Sequence, residues 1–121
     1  MKPIEEYDLF KKAHGLNVRL IDKRKGVQAE ERFLVSEALK YGTGVNIALI
    51  EGAYTGKGEF RPSLDRAFAR AAGAKYFIGL LKETGLFEEE EGRALEDEAV
   101  GICKMISGLR NKIDQDVQDK E

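Results

Sequence analysis

Apolar residues in the last third of this 121-residue chain recur at alternating intervals of four and three. The stripe consists of Leu95, Ala99, Ile102, Ile106, Leu109 and Ile113. Because an α-helix completes a turn every 3.6 residues, this spacing puts the six side chains on one face, which must pack against other helices. Similar stripes occur in three earlier segments. The sequence therefore predicts a bundle of about four helices.

The four predicted helices cover most of a single domain, residues 1–121. They run from about residue 5 to 25, 28 to 53, 62 to 84 and 88 to 113. Gly26 and Gly85 stand where left-handed residues commonly end helices. The polar tail, residues 114–121, is expected to fray. Short connections favour antiparallel neighbours, so we predict an all-α, antiparallel up-down-up-down four-helix bundle.

Two segments between helical stripes need separate interpretation. Residues 45–50 form an apolar run near glycines that also fits a buried strand. A helix is favoured because no second β-rich run exists to pair with it, and the glycines then permit close helix approach. Residues 54–61 form the one longer loop. Since three glycines lie at or beside it, we predict that it is the most mobile internal segment.

Few side chains offer catalytic or metal chemistry. His14 is the only histidine, and it lacks the serine motif of a hydrolase and the paired Glu-x-x-His of a di-metal bundle. Zinc is equally unsupported with one histidine and one cysteine, Cys103. Residues 52–58 depart from the phosphate-binding Walker pattern in spacing and in having Gly58 after Lys57. We expect a structural His14, a flexible turn at 52–58, no cofactor or metal, and no enzymatic activity.

Composition also bears on location. No run of about 18 apolar residues is present, so we expect no membrane span. The first residues lack the apolar centre of a signal peptide. A single cysteine cannot form an internal disulfide, and the expectation is a cytoplasmic protein.

Charge is distributed unevenly along the chain. Residues 1–82 contain 15 basic and 10 acidic side chains, whereas residues 83–121 contain 5 and 12. Either the acidic helix packs against basic neighbours, or the molecule has a basic face for an anionic partner. The candidate contacts with RNA or DNA are Lys11, Lys12, Arg19, Lys23, Arg24 and Lys25. Of these, Lys12, Arg19 and Lys23 can share one helix face.

The second predicted helix has more apolar residues than one packing seam uses. Beside its main stripe it carries Phe33, Val35, Leu39, Ile47, Leu49, Ile50 and Tyr54. A helix that is apolar nearly all round is buried on all sides, and a partner subunit is the simplest cover. We therefore expect a homo-oligomer. The candidate interface residues are Phe33, Ile47, Ile50 and Tyr54.

Several short motifs in residues 31–113 carry a family resemblance. They are Glu31-Arg32-Phe33, Glu51-Gly52, Lys57-Gly58-Glu59-Phe60, Ala71-Ala72-Gly73 and the stretch Leu80–Phe87. With them the chain resembles the four-helix-bundle family encoded by bacterial 23S rRNA intervening sequences. That family typically shows Asn-Ile-Ala-Glu-Gly where this chain has Ala-Leu-Ile-Glu-Gly, residues 48–52.

The resemblance implies a partner and an assembly. Family members resemble accessory proteins of diversity-generating retroelements, which form ring-like homopentamers and contact a reverse transcriptase and nucleic acid. It therefore implies a pentamer and a nucleic-acid or nucleic-acid-enzyme partner, and it brings no catalytic residue. The alternative is a structural or protein-interaction module without a nucleic-acid role. A basic stripe continuous across the assembled oligomer would favour the nucleic-acid role, and scattered lysines neutralised by Glu88–Glu98 of a neighbour would favour the alternative.

Overall fold

The computed structural model describes residues 2–56 and 58–120, which form four long helices. The helices are α1 (Asp8–Gly26), α2 (Arg32–Tyr54), α3 (Phe60–Glu83) and α4 (Glu89–Lys120). Short 3-10 turns at Ile4–Glu6 and Ala29–Glu31 precede α1 and α2. These residues contain no strand, and residues 45–50 lie within α2, so the helical interpretation of that segment is confirmed.

Ion pairs between helix ends define the topology. Lys23, near the end of α1, pairs with Glu91 at the start of α4. Arg61, at the start of α3, pairs with Asp114 near the end of α4. Each helix packs against two others in the cyclic order α1, α2, α3, α4. The predicted all-α, antiparallel up-down-up-down four-helix bundle is confirmed.

The predicted stripes form the core of the bundle. On α4 the buried part of the stripe extends from Leu95 to Ile106. The buried apolar residues of α1 and α3 are Leu9, Ala13, Leu16, Leu20, Leu64, Ala67, Ala71, Ala74, Ile78 and Leu81. Burial of each large aliphatic side chain stabilises the fold by roughly 1.5–3 kcal/mol. No described helix is both long enough and apolar enough to cross a membrane.

On α4 the fully buried members of the stripe are Leu95, Ala99, Ile102 and Ile106, each at most 1% exposed. Leu109 and Ile113 continue the stripe toward the end of the bundle, where they are half-buried against the same core. The 4-3-4-3-4 spacing therefore places its first four residues in the core and its last two at the edge of it.

The buried face of α2 is wider than its main stripe predicted. Val35 and Leu49 are fully buried inside the bundle because α2 packs against both α1 and α3. Part of the apolar surplus assigned to a partner is thus covered within the chain. Phe33, Ile47 and Tyr54 remain exposed, and Ile50 is half-buried against the core.

Small residues allow the helices to approach closely at two positions. A Cβ atom on Gly42 would clash with the side-chain oxygen of Asn17 on α1, and one on Gly73 would lie 2.5 Å from the Tyr41 ring on α2. The expectation that glycines of α2 permit close helix approach is confirmed at Gly42.

The two predicted glycine caps have different outcomes. Gly85 has a φ of +81° and ends α3 in the left-handed region, as predicted. Gly26 does not, since it is the last residue of α1 and the chain leaves through Val27 in an extended conformation. The N–H of Val27 donates to the Arg24 carbonyl, so the last turn closes without a left-handed residue.

The ends of α2 and α4 also differ from the predicted bounds. α4 continues to Lys120, although the sequence predicted fraying after Ile113; Glu121 lies outside the described residues. The predicted loop at residues 54–61 is shorter, because α2 includes Tyr54 and α3 begins at Phe60. Its greater mobility stays a prediction.

Candidate interaction surfaces

A line of side chains along the outside of α2 is the most extended exposed apolar feature of the bundle. It consists of Phe33, Lys40, Ile47 and Tyr54, which recur every seven residues and so return to nearly the same helix face. Phe33, Ile47 and Tyr54 are 63%, 54% and 61% exposed. These four residues are called the α2 line below. Ile50, the fourth predicted interface residue, lies beside it.

No other helix in residues 2–56 and 58–120 carries a comparable line. The other exposed large apolar side chains are Val18 and Ile21 on α1, Tyr76 on α3 and Val117 on α4. At most two of them share a helix. The apolar surface left by folding is therefore concentrated on α2.

Tyr54 is anchored at one end of the line. Its hydroxyl donates to the carboxylate of Glu5, with an oxygen–oxygen distance of 3.2 Å. The pKa of Tyr54 is raised because its surroundings desolvate the phenolate and because Glu5 both accepts the hydrogen bond and repels the anion. The hydroxyl thus stays protonated and holds the ring in place.

Charged residues border the line on the side that faces α3. Glu37, Gly44 and Glu51 form a parallel column with the same seven-residue interval. Oε1 of Glu51 lies 3.9 Å from Nη2 of Arg66, and a Cβ atom on Gly44 would lie 3.1 Å from the Arg70 stem. The border therefore combines two carboxylates with two arginines.

Aromatic rings brace this border. The Arg70 guanidinium lies 5.6 Å from the centre of the Tyr41 ring, a cation–π contact. The Tyr41 ring stacks on Phe77 with centroids 5.6 Å apart, and Tyr76 meets Phe77 edge-on at 5.5 Å. These contacts hold α2 and α3 together beneath the line.

The predicted basic row is largely turned toward α4. Arg19 pairs with Glu98 and Lys23 pairs with Glu91. A Cβ atom on Gly101 of α4 would lie 3.0 Å from the Lys12 side chain. Lys12, Arg19 and Lys23 therefore share the helix face beside α4, where Arg19 and Lys23 pair with carboxylates and Lys12 stays exposed.

The remaining cations of the row have separate positions. Nε of Arg24 donates to the Ser36 hydroxyl on α2 at 2.7 Å. Lys11 and Lys25 are exposed, and neither forms an ion pair with a residue that the structure describes. The row is thus divided among three directions and is not one continuous surface.

The residues that the sequence suggested for catalysis, phosphate binding or metal binding do not come together in one site among the described residues. His14 is exposed on α1, and its structural role stays a prediction. Gly52 lies inside α2 against Ser63 rather than in a loop, and Lys57 lies outside the described residues. Among the described side chains, no three histidine, cysteine, aspartate or glutamate groups cluster as metal ligands would.

A second surface, which the sequence did not predict, lies between α3 and α4. It is an open groove whose lining includes Lys75, Cys103 and Lys104.

 The α3–α4 groove has a volume of ≈ 530 Å³. A separate groove on the outside of α1 has a volume of ≈ 460 Å³. Burial raises the pKa of the Cys103 thiol, an effect that the nearby Lys75 ammonium partly offsets. The thiol is therefore protonated at neutral pH and a weak nucleophile.

No protein-family model, no curated protein and no solved structure matches this chain.

Sequence reasoning missed part of the α2 surface. It selected apolar residues and therefore passed over Lys40, which lies in the middle of the line. The seven-residue interval that joins Phe33, Lys40, Ile47 and Tyr54 was a signal available in the sequence. Arg66 and Arg70 gave no such signal, because only the packing of α3 on α2 brings them to the border.

Proposed function

We propose that this chain is a non-enzymatic protein-interaction module that associates with copies of itself through the α2 line. The observation that carries the proposal is the line itself, in which three large apolar side chains are more than half exposed on one helix face. Exposed apolar residues grouped on one surface are typical of protein interaction sites, and tyrosine and phenylalanine are enriched at interfaces. A second copy of the chain would cover them.

The distribution of ion pairs supports an interaction module over a nucleic-acid-binding protein. α4 lies between α1 and α3 and supplies Glu91 and Glu98 to cations of α1. Arg19 and Lys23 are therefore neutralised inside the molecule. The acidic half of the chain acts mainly as the packing partner of the basic half.

Binding of RNA or DNA is the second candidate function. It is supported by Lys11, Lys12 and Lys25, which are exposed on α1 and form no ion pair within the described residues. An oligomer would repeat these cations, and each contact with a phosphate would release a counterion. A pentameric assembly, a nucleic-acid enzyme as partner and a cytoplasmic location belong to this second proposal.

Light scattering of the purified chain tests self-association. We expect a mass that is a multiple of 13.5 kDa at micromolar concentration. Ile47→Glu should produce monomers, because an unpaired charge buried in an interface costs several kcal/mol. Val117→Glu is the matched control, since Val117 is 53% exposed and Ile47 54%, and it should leave the mass unchanged. A monomeric wild type would refute the proposal.

A further inference from the structure

We infer that the α2 line packs against the same line of a second copy across a two-fold axis, with the two α2 helices antiparallel. The axis would pass between the two α2 helices at the level of Thr43 and Gly44, midway between Phe33 and Tyr54. This inference rests on the proposed self-association and specifies its geometry.

The α2 line has no counterpart elsewhere on the part of the chain that the structure describes. A head-to-tail contact joins two different patches, whereas a two-fold contact joins one patch to itself. Exposed large apolar residues outside α2 are scattered over three helices among the described residues. The surface that matches the α2 line in length and apolar character is therefore the α2 line of another copy.

The order of residues along the α2 line is nearly palindromic. In the antiparallel register that overlaps its full length, Phe33 faces Tyr54 of the second copy. Lys40 faces Ile47 of the second copy, so its aliphatic stem packs on the isoleucine while its ammonium group reaches water. Both ends are then aromatic and no charge is buried.

Charges along the border of the line are complementary between two copies. Arg66 lies beside Glu51, near the C-terminal end of α2. The two-fold axis brings Glu37 of the second copy to this level, because residues 37 and 50 are equidistant from the axis. Each interface would therefore contain two equivalent contacts between Glu37 and Arg66 of different copies.

Glu37 and Arg66 can interact only between copies, which makes their contact testable. Glu37 lies fourteen residues from Glu51 on α2, which corresponds to roughly 21 Å at 1.5 Å per residue. Because Arg66 is next to Glu51, Glu37 and Arg66 of one chain are too far apart to interact. Any energetic coupling between the two must act between copies.

A charge-swap experiment uses this separation. We expect Glu37→Arg alone and Arg66→Glu alone each to raise the dimer Kd by up to about 25-fold, because either variant removes both equivalent contacts and one exposed ion pair contributes up to about fivefold. The double variant should return the Kd close to that of the wild type. Sedimentation equilibrium gives the Kd, and circular dichroism checks that each variant is folded. Additive weakening in the double variant would overturn the two-fold geometry.

A cross-linking experiment locates the axis independently. In a Cys103→Ser background, Thr43→Cys places the thiols of two copies beside the axis, and a short bis-maleimide should link them into dimers only. Gly108→Cys, on the outside of α4, is the control and should not cross-link. A pentamer without cross-linking at position 43 would overturn the two-fold axis and leave self-association standing, whereas a monomeric wild type would overturn both.

Discussion

Nδ2 of Asn17 donates a hydrogen bond of 2.9 Å to Oδ1 of Asn46 and so joins α1 to α2 inside the bundle. Nδ2 of Asn46 in turn donates to the Phe10 carbonyl at 3.2 Å. The two asparagines are only 7% and 8% exposed. Because a shift of either helix would leave buried amides unpaired, the pair favours one alignment of α1 on α2.

Asn46→Ala should lower the free energy of unfolding by about 1–3 kcal/mol, because the buried Asn17 amide loses its acceptor. Urea denaturation followed by circular dichroism measures the loss. Asn111→Ala, at an exposed position of α4, is the control and should change little. Equal stability of the two variants would mean that the buried pair has no net effect.

Gly42→Ala should also destabilise the protein, although alanine favours helices more than glycine does. The added Cβ would meet Oδ1 of Asn17 and displace the amide from Asn46. Gly15→Ala is the matched control on α1, since open space surrounds Gly15, and it should stabilise by about 1 kcal/mol. Thermal unfolding of both variants decides the matter, and a Tm shift of the same sign in both would contradict the argument.

Arg61 connects the start of α3 to the end of α4. Its Nε and Nη2 donate to the two oxygens of Asp114 at 2.8 and 3.0 Å, and Nη1 donates to Asp65 at 2.8 Å. The hydrogen bonds from Arg61 lower the pKa of both carboxyls. These hydrogen bonds join α4 to α3 just beyond Ile113.

The stabilising effect of Arg61 should depend on pH. A carboxyl with a lowered pKa in the folded state stabilises the fold above its unfolded pKa, about 3.8 for aspartate, and loses that effect as pH falls through the folded pKa. The stability difference between wild type and Arg61→Gln should therefore be constant from pH 7 to about 5 and shrink below about 4. Urea titrations across this range measure it. A difference that persists unchanged at pH 2 would contradict the ionic mechanism.

Nucleic-acid binding by α1 predicts a steep salt dependence. Labelled RNA should bind weakly at low salt and dissociate as salt is added. Replacing Lys11, Lys12 and Lys25 together by glutamine should abolish this binding without breaking the ion pairs of Arg19 and Lys23. Equal binding by wild type and variant, or no binding at low salt, would leave only the interaction module.

The number of helices and their approximate positions could be predicted from the sequence, because both depend on the spacing of apolar residues within a few turns. The apolar stripe from Leu95 to Ile113 and the cap at Gly85 are read from neighbours within a few turns. Fraying of the tail after Ile113 stays a prediction, and the contact of Asp114 with Arg61 could not be read from local spacing because the two residues lie far apart in the chain.

The sequence alone determined that α2 carries more apolar residues than one seam can use. Only the tertiary structure decided which of them are covered. Val35 and Leu49 are as apolar as Ile47, yet the first two are buried by α1 and α3 while Ile47 remains exposed. The same holds for charge, since Arg19 and Lys23 become neutral pairs only when α4 packs beside them. Periodicity assigns a residue to a helix face, but what that face contacts depends on how the helices are arranged in space.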